Sequence, residues 1–203
     1  MDECCFCNML LKEKERILFQ NEHFFLTPSL GPLVEGHLLA CSKEHLTAMG
    51  YLDKDWGRKL RSIRQKVESV FQDIYNSKVL LFEHGEVKVY RECKSSGSCV
   101  DHMHLHFLPL ELSLREDLAE DGMNIQEIDG LAKLCDFVNK NKSYLFVQDK
   151  SGKYVATFDY NIPSQYLRQL VAEKIELQEW DWKKYPRKDL FEKSLSTLQK
   201  KFN

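Results

Sequence analysis

The sequence predicts an α+β fold: an antiparallel sheet with one long helix against it, followed by an α/β C-terminal extension. Three observations point that way. Short apolar runs bounded by turn residues recur near the start of the chain, as strands do. Residues 52–76 place Trp56, Leu60, Ile63, Val67, Val70, Phe71 and Ile74 at spacings of three and four, which is one face of an amphipathic helix. Beyond Pro109 the composition turns acidic, and then gives way to a hairpin pattern and two further helices.

Taken in order, residues 15–28 read as two short strands joined by a polar turn at Asn21-Glu22, and the prolines and glycine of 28–32 make a loop. A third strand covers 36–41. After the long helix, 79–82 is a strand ending at Glu83-His84-Gly85, 91–99 is a polar loop and 100–109 is another strand. Residues 111–129 hold seven acids against one base, Arg115, a solvated stretch ahead of a helix expected at about 124–138 with Ile125, Ile128, Leu131, Leu134 and Val138 on one face. Residues 144–148 and 154–160 form a hairpin around the turn at 150–153. One closing helix starts near Pro163, and the other carries Phe191, Leu195, Leu198 and Phe202. Trp180-Asp181-Trp182 is expected to anchor that last helix.

Composition excludes several function classes. The chain has 203 residues, of which 43% are hydrophobic, enough for a sizeable core. Lys+Arg 29 against Asp+Glu 31 gives a net charge of -2, without the basic footprint of a general DNA binder, so nucleic acid is not an expected partner. No apolar run nears the ~20 residues of a membrane helix. Met1-Asp2-Glu3 lacks the basic start of a signal peptide. The expectation is a cytoplasmic protein with no membrane partner.

Two clusters carry the chemistry. His102-Met103-His104-Leu105-His106 alternates strictly, so on a strand three imidazoles share one face while Met103, Leu105 and Phe107 face the core. Such a row can bind a metal, act as acid and base, or attack as a nucleophile. At the other end, Cys4-Cys5-Phe6-Cys7 contains a Cys-x-x-Cys, compatible with zinc, thiol redox or inert thiols. A second Cys-x-x-Cys is missing, so two further ligands would have to come from elsewhere in the chain.

Residues 102–108 (HMHLHFL) match the His-φ-His-φ-His-φ-φ motif, with φ apolar, of the histidine-triad (HIT) superfamily of nucleotide hydrolases and transferases, which this chain resembles over roughly residues 4–109. Gly36-His37-Leu38-Leu39 and Lys43-Glu44-His45 are similar to the family's Gly-His strand and the basic loop after it. The Phe82-Glu83-His84-Gly85 stretch and the long tail resemble a longer microbial branch. The resemblance implies a HIT-like catalytic domain over 1–110 and an extension over 111–203 packed on it.

The resemblance also implies roles. His104 would attack the α-phosphorus of a dinucleoside polyphosphate or another nucleoside-phosphate conjugate and form a nucleotidyl-histidine. A hydrogen bond from its other nitrogen to the His102 carbonyl would orient it. His106 would sit beside a non-bridging oxygen, and Ser98, Gly97 and Cys99 would face the leaving side. His37 would join the hydrogen-bond network and Ser29 would meet the ribose. Outside the resemblance, His84 ends a strand next to the site and is a candidate to contact base or phosphate, and Arg168 is a candidate for phosphate from its place in a helix's first turns, where backbone N–H groups favour anions. In zinc-bearing relatives, a histidine after the Gly-His strand and the first triad histidine join two cysteines. Here that set is Cys4, Cys7, His45 and His102, a structural zinc, with Cys5 as a poorer substitute for Cys4. Relatives often form a homodimer, an assembly left open for this chain. The alternative function is a non-catalytic nucleotide- or RNA-associated binding module, for which the mildly basic end at 181–203 is the support.

Overall fold

A computed structural model describes residues 4–87, 102–158 and 161–202. The strands are β1 (Phe19–Gln20), β2 (Phe24–Pro28), β3 (Leu38–Ser42), β4 (Leu80–Gly85), β5 (His104–Leu108), β6 (Asn124–Glu127), β7 (Tyr144–Asp149) and β8 (Gly152–Thr157). The helices are α1 (Cys5–Lys12), α2 (Lys54–Tyr75), α3 (Arg115–Glu120), α4 (Leu134–Asn139), α5 (Tyr166–Lys174) and α6 (Lys188–Phe202). Among the described residues, all eight strands join one antiparallel sheet, in the order β1-β2-β3-β5-β4-β7-β8-β6. The sheet runs on across residue 110: β7, from the C-terminal half, pairs directly with β4. The fold is the mixed α+β class that the sequence predicts.

Local chemistry sets the element ends. Asn21 turns β1 into β2 by accepting from the backbone N–H groups of His23 and Phe24 through its side chain. Asp53 caps α2, accepting from the N–H of Asp55 and of Trp56. Asn76, at φ 47, ends that helix in the left-handed conformation an asparagine tolerates. The apolar stripe of α2 then buries Leu60, Ile63, Val67 and Phe71 in one cluster with Leu81, Met103, Leu105, Phe107 and Phe146 of the sheet. Each such side chain contributes roughly 1.5–3 kcal/mol.

The opposite face of the sheet is covered in two patches. Phe6 and Met9 of α1 pack on Phe25, Leu39 and Cys41. Leu118 of α3 and Leu167, Leu170 and Val171 of α5 pack on Leu80, Phe82, Leu108 and Leu145. A pocket opens between these patches, over the middle of β3, β5 and β4.

The helix expected over 124–138 is not formed as such. Residues 124–127 are the edge strand β6, paired with β8 from Asn124↔Thr157 to Glu127↔Tyr154. Gly130 is extended, at φ -166 and ψ 163, and the helical part is confined to a tight turn at Leu131–Lys133 and to α4. Residues 124–127 hold one apolar residue, Ile125, too few to distinguish a helical period from a strand's, and Asp129-Gly130 breaks the pattern. In the acidic stretch, α3 forms because Leu114 and Leu118 are buried four apart while Glu116 and Asp117 lie in its favourable first turn. Strand β5 begins at His104, so the strand expected from residue 100 starts later, and His102 precedes it at a bend followed by the bond from Met103 N–H to the Leu46 carbonyl.

Candidate active site and metal cluster

Pairing fixes the histidines. On β5, His104 lies opposite Cys41 of β3, and His106 lies between Leu39 of β3 and Phe82 of β4. The Phe82 ring stacks on His106 at 4.4 Å between centroids. His104 and His106 both line the pocket, together with Ser29, Thr47, His84, Glu86, Gln165, Tyr166, Arg168 and Trp182.

Hydrogen bonds determine which ring nitrogens carry protons. His104 Nδ1 is 2.6 Å from the His102 carbonyl. A carbonyl only accepts, so Nδ1 donates and the lone pair is on Nε2. Burial, the largest influence, pushes His104 down to about 4, keeping it neutral near pH 7. His37 is fully buried, and its Nδ1 accepts from the Leu33 N–H at 3.1 Å. Burial holds His37 well below the usual histidine range, so the neutral ring carries its proton on Nε2, which donates to His106 Nδ1 at 2.8 Å. His106, also held low by burial, therefore has its proton on Nε2.

Arg168 supplies a cation. It is 5% exposed, and its Nη2 donates to the carbonyls of Gly31 at 2.6 Å and Trp180 at 2.9 Å, with Nη1 3.5 Å from Ser29 Oγ. Gln165 precedes α5 at φ 64 and is held by Asp181, whose carboxylate accepts from its amide at 2.8 Å. Trp182, expected to anchor the last helix, lines the pocket, and a Cβ on Gly31 would lie 2.5 Å from the Trp182 Cβ, so that approach requires glycine. His84 lines the pocket too, lowered by burial. Glu83, next to it, faces the other side of the sheet. There it accepts from Met49 N–H at 2.6 Å and from the Tyr144 hydroxyl at 3.0 Å, and burial pushes it up to about 8.

Cys4, Cys7, His45 and His102 come together with their ligand atoms all within 4.8 Å of one another. His102 Nε2 lies 2.8 Å from the Ser42 carbonyl, so it donates there and turns the Nδ1 lone pair toward the thiols. Cys4 Sγ and Cys7 Sγ stand 3.4 and 3.6 Å from that Nδ1, and Cys7 Sγ is 3.4 Å from His45 Nδ1. Zinc with Zn–S near 2.3 Å and Zn–N near 2.0 Å gives tetrahedral edges of about 3.5 Å, so these residues fit that metal. Cys5 lies apart from the cluster and lines the pocket instead. Phe6 packs its ring on His102 and His104, at 5.6 and 5.3 Å between centroids. Ser98, Gly97 and Cys99 lie outside the described residues.

Sheet, triad and pocket define a HIT-superfamily protein. The family model described as "Scavenger mRNA decapping enzyme C-term binding" matches residues 3–118, and the chain belongs to that family. A bis(5'-adenosyl)-triphosphatase from Dictyostelium discoideum is 28% identical over 100 residues, which are 49% of this chain and 62% of that relative. Among solved structures, a HIT family protein from Bacillus anthracis is 17% identical, covering 57% of this chain and 86% of its own, at a TM-score of 0.42. A Zn-bound histidine triad family protein from Mycobacterium smegmatis is 13% identical, covering 69% and 93%, at a TM-score of 0.44. Among the described residues, no helix is long and apolar enough to cross a membrane.

Proposed function

We propose that the chain is a HIT-type nucleotide hydrolase or nucleotidyltransferase that cleaves a nucleoside-phosphate conjugate, a dinucleoside polyphosphate or a phosphoramidate, through a nucleotidyl-His104 intermediate. The observation that carries this reading is the 2.6 Å bond from His104 Nδ1 to the His102 carbonyl, which leaves Nε2 as an uncharged nucleophile in a pocket shared with Arg168 and His106. An anionic phosphorus centre repels anionic nucleophiles, so a neutral imidazole suits it. The family match and the triphosphatase relative support the reaction class.

In the first step the Nε2 lone pair forms a bond to the α-phosphorus, and the leaving group departs with its electron pair. The imidazolium so formed keeps donating Nδ1–H to the His102 carbonyl. The Arg168 guanidinium balances phosphoryl charge, and the Nε2–H of His106 donates to a non-bridging oxygen. Water then attacks phosphorus, the P–N bond breaks with its electrons returning to Nε2, and the water proton goes to solvent. Zinc, held by Cys4, Cys7, His45 and His102, would supply a cross-link from α1 to the strand of the nucleophile rather than a reacting centre.

The test is a screen of nucleotide conjugates with product identification, run on the parent and on His104→Asn. The expected result is release of a nucleoside monophosphate by the parent and a loss of at least about a thousandfold in the variant. Full turnover by His104→Asn would end the proposal. Binding without turnover by the parent would favour the non-catalytic module.

A further inference from the structure

The C-terminal extension reaches the triad by a second route, outside the pocket. Arg187, just before α6 and half-buried, donates from Nη1 to the carbonyls of Pro32 at 2.9 Å and Leu33 at 2.8 Å. The Pro32 carbonyl belongs to the same peptide group as the Leu33 N–H. That N–H is the donor to His37 Nδ1, and His37 Nε2 donates in turn to His106 Nδ1. Arg187 thus stands at the head of an unbroken series: guanidinium, peptide, imidazole, imidazole, ending on the proton of His106 Nε2. Every link runs in one direction, each group accepting on one side and donating on the other. The loop bearing that peptide is fixed beside Arg187 by two more contacts with α6: Gly36 N–H donates to Ser194 Oγ at 3.0 Å, and Lys193 pairs with Glu35 at 2.6 Å.

We propose that Arg187 is a positioning residue for the triad, its charge polarising the Pro32–Leu33 peptide and, through His37, strengthening the hydrogen bond that His106 gives to the phosphoryl oxygen. The physical basis is cooperativity: a peptide whose carbonyl accepts from a cation is a stronger N–H donor, and an imidazole that accepts more strongly on one nitrogen donates more strongly from the other. Both imidazoles are buried, where such polarisation is weakly screened. The role of His106 at a phosphoryl oxygen rests on the proposed function; the series of bonds does not.

The test compares the parent with Arg187→Met and Arg187→Lys, using protein with ¹⁵N-labelled histidine. In Arg187→Met the His37 Nδ1 resonance should move toward that of a ring nitrogen accepting no hydrogen bond, and Arg187→Lys, which restores a charged donor, should move it back. Turnover is read on a nucleotide conjugate and on its two α-phosphorothioate diastereomers, because sulfur is a poor acceptor. Arg187→Met should lose about tenfold on the oxygen substrate, a part of what a positioned donor supplies. It should lose at most about twofold on the diastereomer whose sulfur faces His106. A His37 Nδ1 resonance unchanged in Arg187→Met, or equal losses on oxygen and sulfur substrates, would overturn the proposal. If the parent turns over no nucleotide, the proposed function fails, while the nitrogen resonance still decides whether the charge reaches His37.

Discussion

On one side of the pocket stands α1, eight residues long, resting on Phe25, Leu39 and Cys41 through Phe6 and Met9. On the other stands α5, with Leu167, Leu170 and Val171 in a broad apolar cluster and Arg168 bonded to two backbone carbonyls. A helix as short as α1 is marginal alone. What ties it down are two cysteines facing two histidines, and one of these, His102, lends its carbonyl to His104. The α5 side is held by burial and by hydrogen bonds that need no ligand. With the proposed zinc in place, the two walls would fail differently: the first by losing that metal, the second by losing a side chain.

Removing metal is the sharpest way to separate them. Chelation, or Cys7→Ser, should strip one zinc per chain and lower stability by several kcal/mol, an order set by the binding energy of structural zinc sites. Amide exchange should quicken over residues 5–12 and stay slow over 166–174. Equal protection in both walls, or no zinc in protein assayed by elemental analysis, would erase the contrast. The second wall should answer to Arg168→Met. Loss of the buried guanidinium should lower kcat/KM about a hundredfold, with the exchange of α1 unchanged.

How much of this the sequence discloses depends on whether the information is local. The apolar stripe of α2, the pair His104 and His106 on one strand face and the hairpin of β7 and β8 are properties of short windows, and they stand in the structure where they were expected, whereas His102 falls before the strand and turns to the thiols. The gathering of Cys4, Cys7, His45 and His102 was legible only by resemblance, since no window holds all four. Helix α1 gave no periodic signal, six of its eight residues being thiols or apolar side chains, and it owes its place to what it docks against. Residues 124–127 satisfied a helical spacing, but pairing with β8 outweighed it. Arg187 carried no signal, because its partner Pro32 is far along the chain, and Glu83 was marked only as part of the 82–85 stretch, with nothing to point to Tyr144.

The smallest effect concerns the support behind both walls. Glu83 and Tyr144 hold the segment around Met49 and Gly50, just after the loop that carries His45. The folded protein raises Glu83 from an ordinary 4.5 to about 8, so it binds this proton more tightly than the unfolded chain does. The resulting stability is full below about 4.5, falls as pH rises from there to about 8, and is flat above. Set against Glu83→Gln, which cannot titrate, the parent should lose about 2 kcal/mol between pH 5 and 8, after allowing for relaxation around the buried group. Denaturant melts of the two proteins across that range check it. Parallel curves would mean that Glu83 keeps one protonation state throughout.

The most direct measurement is capture of the covalent adduct. The protein is mixed with a hydrolysable nucleotide conjugate, quenched rapidly without acid, digested and sequenced by mass spectrometry. The account predicts the mass of one nucleoside monophosphate on the peptide spanning residues 102–108, with fragmentation placing it on His104. Sustained turnover with no adduct there, or an adduct on another residue, would contradict it.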